Sequence, residues 1–169
     1  MQIRRTTLKD LPELMRIFNY AQRYLASLNI DQWQDGYPDG NRILTDIENK
    51  ESFVVENEQQ DIIATFMFTT TSEPTYNEID GGWVTSVKAK YGVIHRIAAG
   101  ENCTIKGIGS KIINHCEAIL KEQKVGSLRI DTHKDNLGMQ HILKKLQYQY
   151  CGIITLKGGA TRLAFEKLV

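Results

Sequence analysis

Two glycines, Gly107 and Gly109, stand where an apolar run meets a helix-period stripe, and this junction is where the sequence offers chemistry. Upstream, Val93 to Ala99 is bounded by Gly92 and Gly100 and is too short for a helix, so it reads as a buried strand. Downstream, Ile108, Ile112, Ile113, Cys116, Ile119 and Leu120 recur at helical spacing. The first turn of such a helix carries unpartnered backbone N–H groups at the positive end of the macrodipole, and glycine lets an oxyanion come close. The chemistry implied is phosphate binding; the plainer alternative is a tight strand-to-helix turn. A Walker loop is excluded, because counting from Gly100 puts Ile105 where its second glycine belongs. A dinucleotide fingerprint is weakened by Ile112 at its third glycine and by the loop's mid-chain place, although Asp131 follows about 20 residues on.

His95 is the second candidate. An unperturbed imidazole titrates near pH ~6.5, which suits a general base at neutral pH. Strand alternation puts His95 on one face with Val93, Ile97 and Ala99, whereas a slip of one residue presents Arg96 instead. The alternative is a satisfied core histidine. Glu73, at the end of a predicted strand, and His133 are the fallback bases. Asp131 to Asn136 (DTHKDN) can orient an acceptor, or can equally make a turn and a helix cap. Trp33 and Tyr37 lie in a turn-rich loop, Asn29 to Asn41, where they either fold back over the core or line a ligand mouth. Together with Trp83 and Asp131 they are the expected acceptor-binding residues.

These residues need a scaffold. Gln2 to Thr6 reads as a strand, followed by a helix capped by Thr7 or Asp10 with Pro12 in its first turn and Leu11, Leu14, Met15, Phe18, Ala21, Leu25 and Leu28 on its buried face. Ile43, Leu44 and Ile47 mark a short second helix. Strands are predicted at Ser52 to Glu56, Ile62 to Thr70, Trp83 to Val87, Ser127 to Thr132, Tyr150 to Leu156 and Thr161 to Leu168, with a helix over Asn136 to Leu146.

With 169 residues the chain is expected to form a single domain, 1–169, able to bury a core. Its 21 basic and 20 acidic residues are interspersed, so no nucleic-acid or membrane surface is expected. Three cysteines without a C-x-x-C pair suit a reducing, cytoplasmic setting, and four scattered histidines without metal-ligand spacing suggest no metal.

The glycine junction resembles motif A of the GCN5-related N-acetyltransferases (GNAT superfamily). There a strand ending in a small apolar triplet, here Ile97-Ala98-Ala99, leads into a pyrophosphate loop, here Thr104-Ile105-Lys106-Gly107-Ile108-Gly109 with Ser110 in the helix. The resemblance runs the length of the chain. It implies an α/β (α+β) fold with a mixed sheet of about six to seven strands, splayed between the central strand and the SLRID strand and flanked by about four helices. It also implies acetyl-CoA as cosubstrate, with Asn136 contacting the cofactor arm, and acetyl transfer by direct attack in a ternary complex. The acceptor would be the amine of a small molecule or peptide, and a homodimer is allowed. Two positions depart from the pattern: Thr104 replaces an Arg or Gln, and Leu143 replaces the tyrosine that often serves as general acid. Tyr148, Tyr150 and Cys151 lie downstream as substitutes, and no acid is assigned. The alternative, drawn from the two departures, is a non-catalytic acyl-CoA-binding or regulatory protein on the same fold.

Overall fold

The computed structural model describes residues 1–86 and 88–169. The elements in chain order are β1 (Gln2–Arg5), α1 (Leu11–Ser27), α2 (Gly40–Glu48), β2 (Ser52–Glu56), β3 (Ile62–Thr69), β4 (Ile79–Gly81), β5 (Gly92–Ala99), α3 (Ile108–Glu122), β6 (Ser127–Thr132), α4 (Leu137–Lys145), β7 (Gln149–Thr155) and β8 (Thr161–Leu168). Short 3₁₀ turns occupy Leu8–Asp10 and Pro74–Tyr76. The eight-stranded mixed sheet exceeds the six to seven strands expected. The chain divides into two compact units, residues 1–68 with 95–109 and residues 69–94 with 110–169.

In the first unit β1, β2, β3 and the later half of β5 follow one another, with β1–β2 and β2–β3 antiparallel. The polar turn between β2 and β3 closes through Asn57, whose Oδ1 accepts from the backbone of Gln59 and Asp61. The core gathers Leu14, Ile17 and Phe18 of α1, Ile43 and Ile47 of α2, Val54 and Ala98. Each such buried side chain contributes about 1.5–3 kcal/mol of transfer free energy. Ile17 is part of this face, whereas Leu28, expected on it, is half exposed because the helix stops at Ser27 and Leu28 only caps it. Asp39 caps α2 by accepting from Arg42 N–H at 2.8 Å.

In the second unit the order is the early half of β5, then β6, β8, β7 and β4. The β5–β6 pairing is parallel and covers Gly92–Ile94 against Leu128–Ile130. Both strands run on beyond that ladder, to Ala99 and Thr132. β6–β8, β7–β8 and β4–β7 are antiparallel, with an irregularity between Tyr150 and Gly152. Tyr76, Tyr91, Val93, Cys151, Ile154 and Ala164 form the core on this side. α3 buries Ile112, Ile113, Cys116 and Leu120 completely, as its stripe predicts. The strand expected over Trp83 to Val87 is replaced by β4, which starts four residues earlier, at Ile79. Trp83–Ser86 is irregular and Val87 lies outside the described residues. Locally, the Thr85 backbone N–H donates to the Glu166 carboxylate instead of to a ladder, and the Trp83 indole N–H ties that side chain to the Tyr76 carbonyl.

Candidate active site

β5 delivers the chain to the phosphate-loop candidate. Gly100 closes the strand by donating to the Ile63 carbonyl at 2.9 Å. A Cβ there would lie 2.6 Å from Asn102 Oδ1 and 3.2 Å from Ile17 Cγ1, so any larger residue must displace the Asn102 side chain and press on Ile17. From Thr104 the loop is open, with Thr104, Lys106 and Gly107 exposed and Ile105 half-buried. Gly107 adopts φ +70°, the left-handed region, and nothing lies within 4 Å of where its Cβ would be. It is followed at once by the 15-residue α3, which has no acidic residue in its first turn. An open Gly107 and a first turn without acidic residues suit a phosphate at this helix start. Exposed Lys106 adds a cation where Thr104 supplies none. Ile97 is half-buried, Ala98 packs into the α1–α2 core and Ala99 ends the strand.

His95 is half-buried on β5, and its side chain is engaged with other groups. Beside it Arg96 has φ +53°, so the regular alternation assumed from Val93 to Ala99 is interrupted. Arg96 is itself buried, with Nε and Nη2 donating to the two oxygens of Asp46 at 2.8 and 2.9 Å. Its Nη1 donates to the Tyr37 hydroxyl oxygen at 2.5 Å. Trp33, also left-handed at φ +66°, lies edge-on to Phe18 at 5.9 Å and covers the core. Tyr37 stays 37% exposed. A polar groove of about 720 Å³ runs beside Gly100–Asn102, lined by Arg16, Asn19, Tyr20 and Arg23 of α1, and includes none of the predicted site residues.

The second unit assembles the remaining candidates in two groups. Tyr76, buried in the core, donates its hydroxyl to Asp131 Oδ2 at 2.8 Å, and burial together with that carboxylate drives its pKa well up. Glu73 caps the turn leading to Tyr76, accepting from Thr75 N–H at 3.3 Å and Thr75 Oγ1 at 3.0 Å, while its own N–H donates to the Tyr91 hydroxyl. Trp83 packs on Tyr76 at 4.9 Å and under the Arg129 guanidinium at 4.2 Å. In the other group β6 stops at Thr132, so His133 belongs to a turn rather than to the strand face of Asp131. His133 Nδ1 accepts from Asp135 N–H at 3.2 Å, and Asn136 caps α4 by accepting from Met139 N–H at 3.0 Å. Ser110 lies half-buried in the first turn of α3.

The acid position is apolar. Leu143 is fully buried. Tyr148 donates to Glu117 Oε1 at 3.0 Å, and burial followed by that carboxylate pushes its pKa far up. Burial likewise raises the Cys151 thiol. Sequence reasoning missed Tyr76 and Arg96 as organising residues. Their signals, a tyrosine in a turn-rich segment and a charge inside an apolar strand, were both visible. Among the described residues no group of three or more His, Cys, Asp or Glu side chains could hold a metal, and no helix is long and apolar enough to cross a membrane.

Comparison with known proteins supplies the family. Residues 16–148 match the model of the acetyltransferase (GNAT) family. Comparison with curated proteins gives no match. Among solved structures, a GNAT-family acetyltransferase from Streptococcus agalactiae is 32% identical, with a TM-score of 0.86 over 99% of this chain and 95% of that one. A GNAT-family acetyltransferase from Listeria monocytogenes shares 19% identity at a TM-score of 0.77, covering 99% and 94%. A phosphinothricin acetyltransferase of the GNAT superfamily from Sinorhizobium meliloti, solved in complex with AcCoA, shares 13% identity at a TM-score of 0.67, covering 99% and 88%. With the strand, loop and helix arranged as described and the match spanning most of its length, the chain belongs to the acetyltransferase (GNAT) family.

Proposed function

We propose that this acetyltransferase moves an acetyl group from acetyl-CoA to the amine of a small-molecule or peptide acceptor, by direct attack in a ternary complex. The carrying observation is the open, left-handed Gly107 immediately before α3, whose first turn contains no acidic residue. Ile105 to Ser110 hold the pyrophosphate through backbone N–H groups, Lys106 adds charge, and Ile97 to Ala99 with Asn136 hold the arm. Bound acetyl-CoA supplies the thioester. His95 takes the proton of the attacking nitrogen as the new C–N bond forms and the C–S bond breaks. Glu73 and His133 stand in reserve as bases. The thiol is acidic enough to leave without an assigned acid. The candidate acceptor contacts are Trp33 and Tyr37 in the first unit and Trp83 and Asp131 in the second. The domain is read as one functional unit over 1–169, because the family match draws on residues of both compact units. Its three free cysteines suit the cytoplasm.

The test is thiol release from acetyl-CoA with polyamines, amino acids, aminoglycosides and arylalkylamines, alongside CoA calorimetry on Gly107→Glu. Release with at least one amine, and CoA affinity reduced at least about tenfold in the folded variant, are the expected results. Unchanged affinity in Gly107→Glu overturns the phosphate loop. Tight CoA binding with no thiol release from any amine favours the non-catalytic alternative raised by Thr104 and Leu143.

A further inference from the structure

An arginine in the left-handed region of a core strand is costly, and it persists only where surrounding contacts outweigh the strain. At Arg96 those contacts can be read one by one. The side chain is 6% exposed and spans Asp46 of α2 with both arms of its fork, while the third nitrogen reaches the Tyr37 hydroxyl oxygen at 2.5 Å. Its guanidinium carbon also stands 5.9 Å from the centre of the Tyr37 ring. Asp46, 2% exposed, has a second cation in Arg42 on its own helix. The buried carboxylate is therefore compensated without Arg96, and the distinguishing contact of Arg96 is the one to Tyr37. The loop has further tethers on α1: Gln22 Nε2 donates to the Tyr37 carbonyl at 3.0 Å, and Gln34 Nε2 donates to the Gln22 carbonyl at 3.1 Å. Arg96 follows His95 directly, so the same backbone bulge that carries the candidate base also grips the loop before α2.

We propose that Arg96 is a positioning residue: anchored on Asp46, it holds the Tyr37 loop against the β5 bulge and so determines which acceptor amines are used. This rests on the function proposed above. The role is one of geometry, because the fork of a guanidinium can serve Asp46 and Tyr37 together and an ammonium cannot.

Two variants test it. Arg96→Lys keeps the charge and removes the fork; Tyr37→Phe keeps the ring and removes the accepting oxygen. In both, amide exchange over residues 31–37 should rise about tenfold. KM for the best amine of the panel should rise about three- to tenfold, the size of one hydrogen bond, while CoA affinity stays within about twofold. The double variant should be no worse than Arg96→Lys alone, since both changes cut one link. Additive losses would mean that Tyr37 acts on the acceptor independently of Arg96, and would overturn the proposal. So would unchanged exchange and KM in Tyr37→Phe, which judges the link even if Arg96→Lys does not fold. If the parent releases no thiol with any amine, the enzymatic reading fails, and exchange alone decides the inference.

Discussion

His95 is asked to move a proton, and its neighbour decides where it stands. Strict alternation was the argument for putting it on one face with Ile97 and Ala99, and the left-handed Arg96 interrupts that pattern. The proposed proton-transfer role therefore rests on chemistry, because the imidazole lies on the strand that leads into the proposed phosphate loop. His95→Gln keeps hydrogen bonding and removes the basic nitrogen. In this variant kcat/KM should fall about 10²–10⁴-fold, with CoA affinity unchanged. Full activity would return His95 to the core and make Glu73 and His133 the next residues to substitute. Single residues of this kind were legible by type. The partners of Asp131 and Arg96 were not, because nothing near them in sequence names Tyr76 or Asp46.

At the scale of elements, the entry to α1 shows charge and capping working together. Arg4 of β1 donates to both Asp10 oxygens, at 2.8 and 3.0 Å, and to Glu56 of β2 at 2.8 Å. Asp10 also accepts from Thr7 N–H at 2.7 Å. Arg4 above all, and then the Thr7 donors, hold the Asp10 carboxyl down at about 2 against the opposing effect of partial burial. The folded value lies below the unfolded one, so the stabilisation is complete above pH 4 or so. It is lost as pH falls toward 2. After discounting for solvent screening, Asp10→Ala should cost about 1 kcal/mol at pH 7. Acid unfolding monitored by circular dichroism should show the gap between parent and variant closing over that window; a gap independent of pH would remove the ion pair from the account. Either Thr7 or Asp10 was expected as the cap; Thr7 precedes the 3₁₀ turn, while Asp10, at the cap position of the helix, makes no side-chain bond to it and reaches back to Thr7 N–H instead.

At the scale of the molecule, the second unit is organised round a buried ion pair with aromatic walls. Arg129 and Glu166 are 1% and 0% exposed and meet at 3.0 Å across β6 and β8. Ser127 and Thr85 donate to the same carboxylate at 2.6 Å each, and the guanidinium lies 4.2 Å from the Trp83 ring centre and 3.9 Å from that of Tyr91. Removing one partner strands the other charge. Arg129→Met should cost about 3–5 kcal/mol in urea denaturation, and adding Glu166→Gln should recover part of it. A loss below about 1 kcal/mol would mean that water reaches the site. The sequence by itself determined the helices, most strands, the glycine loop and the family resemblance, because each is written in contiguous residues whose spacing reflects one local geometry. Strand β4, the bulge at Arg96, and the pairs Arg96–Asp46, Tyr76–Asp131 and Arg129–Glu166 were decided only by the tertiary structure. These pairs join residues 37 to 55 positions apart. Any of those polar side chains would read equally well as solvated surface, and burial, which turns them into obligatory partners, is a property of the folded chain alone.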